Sequence, residues 1–464
     1  MNCVGTGIPG LSSLGGVRTR GREEKQTFTP LPVWSLIALA MFVLRVGVMA
    51  IVIVSNPLRL ARTMGRELLA GFFTPPLLAG VVAAGLAGSK EPEGRVLRFV
   101  PRQVQEAMRE SRIAWIMYSQ FEYVAAGLAV LALAPGRARS LLHVQLSGPD
   151  HKDIQCGNVP GSCCDVYLPR AYSSNELLLF VPGGAWSHGY KSFYTLTSRR
   201  LADELACAVA VVGYDLFPVV NGAAQVEQVE QAIRWAESGA SVPGVGPLLR
   251  KGGRLVIVGH SAGGQLAAAA LLSRSSDVRD DLAAASVDAL ALLSAPLELR
   301  RHVGHEARRG VATISALSAA FVGDDGRTFI EGDQASVPLD DGESAPGVAR
   351  LRLFDDSQPM ARLSPECIVR ADRSSALAKL PRTIALFHGE HDPTVPASST
   401  RRFEAALGCD DGTVMAEYAN CSHVDYILDL VTMPPEAERA PPLLTFLRAT
   451  CFPNAERTSS TREK

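Results

Sequence analysis

Gly259-His260-Ser261-Ala262-Gly263 has the G-x-S-x-G spacing that lifts a serine onto a sharp turn, where its hydroxyl can act as a nucleophile. The pattern is short and loose, so its neighbours decide its meaning. The apolar run RLVIV at 254–258 precedes it and an Ala-rich stretch at 265–273 follows, which predicts strand, turn and helix. Small flanking residues let such a turn rise above a sheet edge, and the helix N-terminus points at developing negative charge. Upstream, Phe180-Val181-Pro182-Gly183-Gly184-Ala185-Trp186 closes a strand in a glycine loop. Backbone N–H groups of Gly183 or Gly184, with Ala185 as a further candidate, join that of Ala262 as the expected donors to an oxyanion. Pro182 stands where such loops often carry histidine, but the donors belong to the residues after it.

The base and acid lie downstream. His388-Gly389-Glu390-His391-Asp392-Pro393 follows the strand-like TIALF at 383–387, and Cys421-Ser422-His423 comes later. His423 lies 31 residues after Asp392 and 162 after Ser261. Ser, Asp, His is the chain order of α/β-hydrolases, unlike the orders of chymotrypsin-type and subtilisin-type enzymes. His391 and Asp425 are weaker competitors for base and acid. His260 and His388 read as local hydrogen-bonding residues, and His302 and His305 as surface ones. Acyl transfer by such a triad needs no metal or cofactor.

The elements that must hold these residues alternate. DVYLP at 165–169, LLLFV at 177–181, AVAVVGY at 208–214, RLVIV, 289–293 and TIALF read as strands. Helical spacing runs through 193–205, 225–237 and 265–273. Near-continuous apolar strands alternating with helices predict an α/β domain, a mostly parallel sheet covered on both faces, over about 150–452. An acidic stretch at about 324–358 reads as a solvated insertion, and 453–464 as a disordered tail. The nine cysteines show no metal spacing, and the sequence leaves open whether Cys156, Cys163 and Cys164 are free.

The hydrophobic share is 47% and charged residues are 20%, too apolar for a disordered chain. A net charge of −1 gives no basic field for nucleic acid. Much of the apolar content precedes residue 135. After a polar, disordered 1–30, the membrane region 31–135 holds candidate spans at 34–54, 68–87 and 113–134, the second containing Pro75–Pro76. One anchor followed by a helical hairpin packed on the catalytic domain is the alternative. If all three span, Arg45 and Glu122 fall at one depth and can pair. Lys and Arg are nearly balanced around the first span, so orientation is not specified.

Taken together, residues 155–432 resemble the isoprenylcysteine α-carbonyl methylesterases. The resemblance rests on DVYLP, PGGAW at 182–186 followed by Gly189-Tyr190-Lys191, GHSAGG at 259–264, Leu363-Ser364-Pro365-Glu366, LPRTIALFHGEHDPTVP at 380–396 and the His423 segment. It implies an α/β-hydrolase fold behind transmembrane helices, in a membrane of the endoplasmic reticulum or Golgi. It implies hydrolysis of the methyl ester of a prenylcysteine or prenylated protein, drawn from membrane lipid. Ser261, Asp392 and His423 would be catalytic, Gly183, Gly184 and Ala262 the oxyanion hole, and Trp186 and Tyr190 substrate contacts. Gly213-Tyr214-Asp215-Leu216 departs from the family's Asp-Tyr-Arg-Asn, His260-Ser261-Ala262-Gly263-Gly264 from its Gln-Ser-Ala-Gly-Ala, and the acidic insertion is extra. Hydrolysis of other lipid or aryl esters, formamidase-like chemistry and a catalytically silent membrane scaffold are the competing readings.

Overall fold

A computed structural model describes residues 60–87, 92–170, 175–250, 252–274, 287–322, 337–338, 344–345, 359–408, 414–435, 437 and 439–453. The first expected span, Arg45, the expected disordered ends apart from Pro453, and nearly all of the acidic insertion lie outside them.

Eight strands form one sheet: β1 His151–Gln155, β2 Cys163–Tyr167, β3 Glu176–Val181, β4 Ala208–Val212, β5 Arg254–His260, β6 Val287–Leu293, β7 Thr383–Gly389 and β8 Val414–Ala419. Their order across the sheet is β1-β2-β4-β3-β5-β6-β7-β8. β1 and β2, and β2 and β4, pair antiparallel; every pair from β4 to β8 is parallel. Parallel strands need crossovers and are covered on both faces, and side chains alternate between those faces. Leu177, Leu179, Leu255, Ile257, Leu290, Leu292, Ile384 and Leu386 therefore face one core, and Leu178, Phe180, Val256, Val258, Ala289, Ala291, Ala385 and Phe387 the other.

The helices used below are α1 Leu60–Leu86, α2 Arg112–Leu133, α3 Thr195–Leu205, α4 Gly222–Glu237, α5 Ala262–Leu272, α6 Leu299–Arg308, α7 Asp425–Thr432 and α8 Pro442–Thr450. α4 and α5 pack on the first core, α3, α7 and α8 on the second. Among the described residues two helices are long and apolar enough to cross a membrane, with windows Glu67–Ala84 and Arg112–Leu133. The helical run at the expected second span continues straight through Pro75 and Pro76.

α2 does more than its composition suggests. Its start is capped twice: the Ser111 hydroxyl accepts from Ala114 N, and the Glu67 carboxylate of α1 accepts from the backbone N–H groups of Arg112 and Ile113 at 3.2 Å each. A carboxylate there satisfies orphan donors and meets the positive end of the helix dipole. The rest of α2 lies along the hydrolase domain. Tyr123 stacks on Phe193 at 5.1 Å, and Val130 packs with Val431 and Leu428 of α7 and Leu196 of α3. Arg45, the expected partner of Glu122, lies outside the described residues; among them Glu122 meets His188, with Oε2 3.0 Å from Nε2, and hydrogen-bonds the side chain of Tyr118.

Candidate active site

All the chemistry-bearing loops leave the C-terminal ends of parallel strands and so meet on one edge of the sheet. Ser261 follows β5 directly and opens α5. Its φ of 53° and ψ of −126° are a strained backbone for a residue with a side chain. The strain is held by a bond from Ser261 N to Leu293 O at 2.8 Å and by close backbone packing. A Cβ on Gly263 would lie 2.2 Å from Val181 O, so the second glycine of the motif is dictated by the approach of β3.

The structure brings Ser261, Asp392 and His423 together. His423 Nε2 lies 3.0 Å from Ser261 Oγ, and Nδ1 lies 2.6 Å from Asp392 Oδ2. The other oxygen of Asp392 accepts from Thr394 N at 2.8 Å and Val395 N at 2.9 Å. Burial alone would raise this carboxyl. The charge of His423 and hydrogen bonds from His388, His423 and Val395 outweigh it and hold the group well below the usual carboxylate range. Asp425 accepts from Ser422 N and shapes the turn before His423, and His391 is exposed.

The loop after β3 leaves some, not all, of the expected N–H groups open. Gly183 N–H is given to Tyr194 Oη at 3.1 Å, so it is not open to an oxyanion. Gly184 and Ala185 have no acceptor for their N–H groups among the described residues. Ala262, first in its helix, has no intrahelical acceptor either. Gly184 takes a φ of 135°, and a Cβ there would lie 1.6 Å from His188 O. Ala185 and Trp186 also have positive φ, 44° and 62°.

Trp186, expected to touch substrate, is 1% exposed. Its indole N–H donates to Gln265 Oε1 at 2.9 Å, and its ring lies edge-on to Phe321, so it anchors the loop in the core. Tyr190 is half-buried, edge-on to Phe193. His302, expected at the surface, is 6% exposed; its ring lies near Trp186, and Nδ1 has no partner among the described residues.

Residues beyond the motifs complete the arrangement. Tyr194 Oη also lies 2.7 Å from His260 Nδ1, and His260 Nε2 lies 3.3 Å from the carbonyl of His423. Burial, with the charge of His423, lowers His260 to about 3, so the ring is neutral. A neutral ring that donates from Nε2 must accept the Tyr194 proton at Nδ1. His388 is held by Thr400 Oγ1, 2.6 Å from Nδ1, and its Nε2 lies 2.9 Å from Val395 O and 3.5 Å from Asp392 Oδ2. Tyr194 sits three residues past Lys191, and no spacing signal in the sequence marks it. Cys156 and Cys164 are unbridged, their Sγ atoms 3.1 Å apart.

A family model described as alpha/beta hydrolase fold matches residues 178–340. The chain is 25% identical over 331 residues to "Probable isoprenylcysteine alpha-carbonyl methylesterase ICMEL1" of Oryza sativa subsp. japonica, covering 68% of this chain and 69% of that protein. It is 26% identical over 307 residues to isoprenylcysteine alpha-carbonyl methylesterase ICME of Arabidopsis thaliana, 64% of this chain and 62% of that one. A shorter stretch of 124 residues is 33% identical to arylacetamide deacetylase of Bos taurus, 25% of this chain and 29% of that protein. Among solved structures, a hyperthermophilic esterase from Pyrobaculum calidifontis superposes with a TM-score of 0.47 at 18% identity, covering 78% of this chain and 98% of that one.

Proposed function

We propose that this chain, a carboxylic ester hydrolase of the α/β-hydrolase fold similar to the isoprenylcysteine α-carbonyl methylesterases, hydrolyses the methyl ester of prenylcysteine through Ser261, His423 and Asp392. The observation that carries the reading is the His423 ring, within hydrogen-bonding distance of Ser261 on one side and Asp392 on the other.

Ser261 Oγ forms a bond to the ester carbonyl carbon while its proton passes to His423 Nε2. Asp392 stays ionised, fixes the tautomer and stabilises the imidazolium. The amides of Gly184, Ala185 and Ala262 receive the oxyanion, each worth about 3–4 kcal/mol. The carbon–methoxy bond breaks, and the leaving oxygen takes the proton from His423 as methanol. Water then gives a proton to His423 and attacks the acyl carbon; the bond to Ser261 Oγ breaks, His423 returns the proton to Oγ, and the released carboxylic acid gives its own proton to solvent.

The ester is assigned from the relatives' names, and two features suit a lipid-bearing substrate. α1 and α2 are the long apolar helices, and Phe72, Phe99, Leu133 and Leu146 stand 61–80% exposed in and beside them. Exposed apolar side chains in such numbers mark a partner or a lipid surface. The enzyme then works at a membrane of the endoplasmic reticulum or Golgi, where a prenyl chain is already partitioned.

Membranes carrying wild type should release methanol from farnesylcysteine methyl ester, and Ser261→Ala should lose at least a thousandfold while folding normally. Turnover of aryl acetates or formyl amides with no action on the prenyl ester would move the assignment to another ester or amide. Absence of fluorophosphonate labelling at Ser261 in folded protein would leave only a silent scaffold.

A further inference from the structure

Three consecutive residues of the loop that carries the oxyanion donors, Gly184, Ala185 and Trp186, have φ of 135°, 44° and 62°. Left-handed backbone costs an alanine or tryptophan roughly 1–2 kcal/mol each and persists only where surroundings impose it. Trp186 is imposed from the core side, through Gln265, and through its own carbonyl, which accepts from Gln225 Nε2 at 2.7 Å and Phe217 N at 2.9 Å. The other side of the loop faces α2.

There a relay of side chains reaches the strained peptides. Glu122 Oε2 lies 3.0 Å from His188 Nε2, and His188 Nδ1 lies 3.2 Å from Ser187 Oγ. Ser187 Oγ donates its one proton to Ala185 O at 3.2 Å, so in the relay His188 Nδ1–H donates to Ser187 Oγ while Nε2–H donates to Glu122. The His188 ring is clamped between partners from the same helix. Trp115 stacks on it at 5.5 Å and 7°, and Tyr118 meets it edge-on at 5.0 Å. Trp115 is itself fixed by its indole N–H donating to Arg109 O at 2.7 Å. At its far end α2 is followed by Arg137, whose guanidinium donates to the carbonyls of Val431, Thr432 and Met433 at the C-terminus of α7. α7 starts two residues after His423. One apolar helix thus touches the oxyanion loop at its middle and, just past its end, the helix behind the base.

We propose that Glu122 and His188 are positioning residues for ester hydrolysis: through Ser187 they hold Ala185 in its left-handed conformation and keep the Gly184 and Ala185 amides aimed at the developing oxyanion. α2 is then part of the catalytic domain's machinery as well as an apolar surface. The proposal rests on Ser261 being the nucleophile, as set out above. Neither residue touches the reacting atoms, so removing them acts on the transition state through the loop.

The test uses the full-length chain in membranes, with p-nitrophenyl butyrate as substrate and a fluorophosphonate as probe. Glu122→Ala and His188→Ala should each lower kcat about tenfold with KM within twofold, and slow Ser261 labelling by a similar factor. Glu122→Gln, whose amide oxygen still accepts from His188 Nε2 without the carboxylate's charge, should recover part of kcat. The double variant Glu122→Ala/His188→Ala should lose no more than either single one, because both break the same relay. A trifluoromethyl ketone, which presents an oxyanion when Ser261 adds to it, should weaken about tenfold against Glu122→Ala, while the product carboxylic acid binds as before. Unchanged kcat in Glu122→Ala, a loss confined to KM, or no recovery in Glu122→Gln would overturn the proposal. Should Glu122→Ala prove unstable, the ketone-to-acid affinity ratio in His188→Ala decides, and an unchanged ratio overturns it equally. Labelling that survives Ser261→Ala would instead remove the nucleophile assignment on which the proposal rests.

Discussion

α5 and α2 are the two most apolar helices near the site, and they are apolar for different reasons. All eleven residues of α5, from Ala262 to Leu272, are buried between the sheet and α4. Of the 22 residues of α2 five are buried, and Leu131 and Leu133 are 40% and 61% exposed. α5 needs small residues because it packs close under the Ser261 turn; its apolarity contributes to folding. α2 uses one face, with Trp115, Glu122 and Val130, to grip the hydrolase domain, and leaves the other uncovered. Apolar composition alone does not separate a helix buried all round from one with an uncovered face; the pattern of burial does.

Polar substitutions on the two helices should have consequences of very different size. Ala268 is fully buried in α5, so Ala268→Asp should cost more than about 4 kcal/mol and abolish folded protein, read by yield and thermal unfolding. A folded, active Ala268→Asp would break the distinction. A smaller effect comes from the ground between the helices and the sheet. Glu306 of α6 accepts from Ser315 Oγ at 2.8 Å, close to Val311 and Ile314, which pack against α1 and its neighbours. Burial pushes the Glu306 carboxyl up from 4.5 to about 7. The folded protein therefore keeps a proton that the unfolded chain gives up, and stability should fall as pH rises from about 4.5 to 7. The loss approaches about 3 kcal/mol, and urea titrations of Glu306→Gln should show this part of the slope removed. The smallest change in stability, within about 0.5 kcal/mol, is expected for Leu131→Ser with Leu133→Ser on the exposed face of α2. The same pair should reduce co-sedimentation with phospholipid vesicles; unaltered co-sedimentation would take α2 out of the membrane contact.

The parallel centre of the sheet was legible because β3 to β7 are buried on both faces and read as unbroken apolar runs. Ser261, Asp392 and His423 were legible because each follows such a run or closes a recognisable turn. The edges were not. β1 (HKDIQ) is mostly polar, and β8 (VMAEYA) is only half-buried, so neither carries a two-sided apolar signal. Gly183 was expected to donate to the oxyanion because composition marks the whole glycine loop alike. What excludes it is a tyrosine hydroxyl eleven residues away, a tertiary contact without local signature. The expected Arg45–Glu122 pairing rests on depth along two idealised spans, and Arg45 lies outside the described residues. His188 could not enter that reckoning, because only the packing of α2 on the loop brings it near.

Tyr194 and His260 tie the two halves of the site into one linkage. The loop amide of Gly183 ends on the phenol, the phenol on the imidazole, and the imidazole on the backbone carbonyl of His423. Proton donor and acceptor are assigned at every joint, so a change at one end alters the geometry demanded at the other. In thermodynamic language, substitutions on the oxyanion side and on the base side should show coupling energies instead of summing, and Tyr194 is where that coupling can be cut without touching either end.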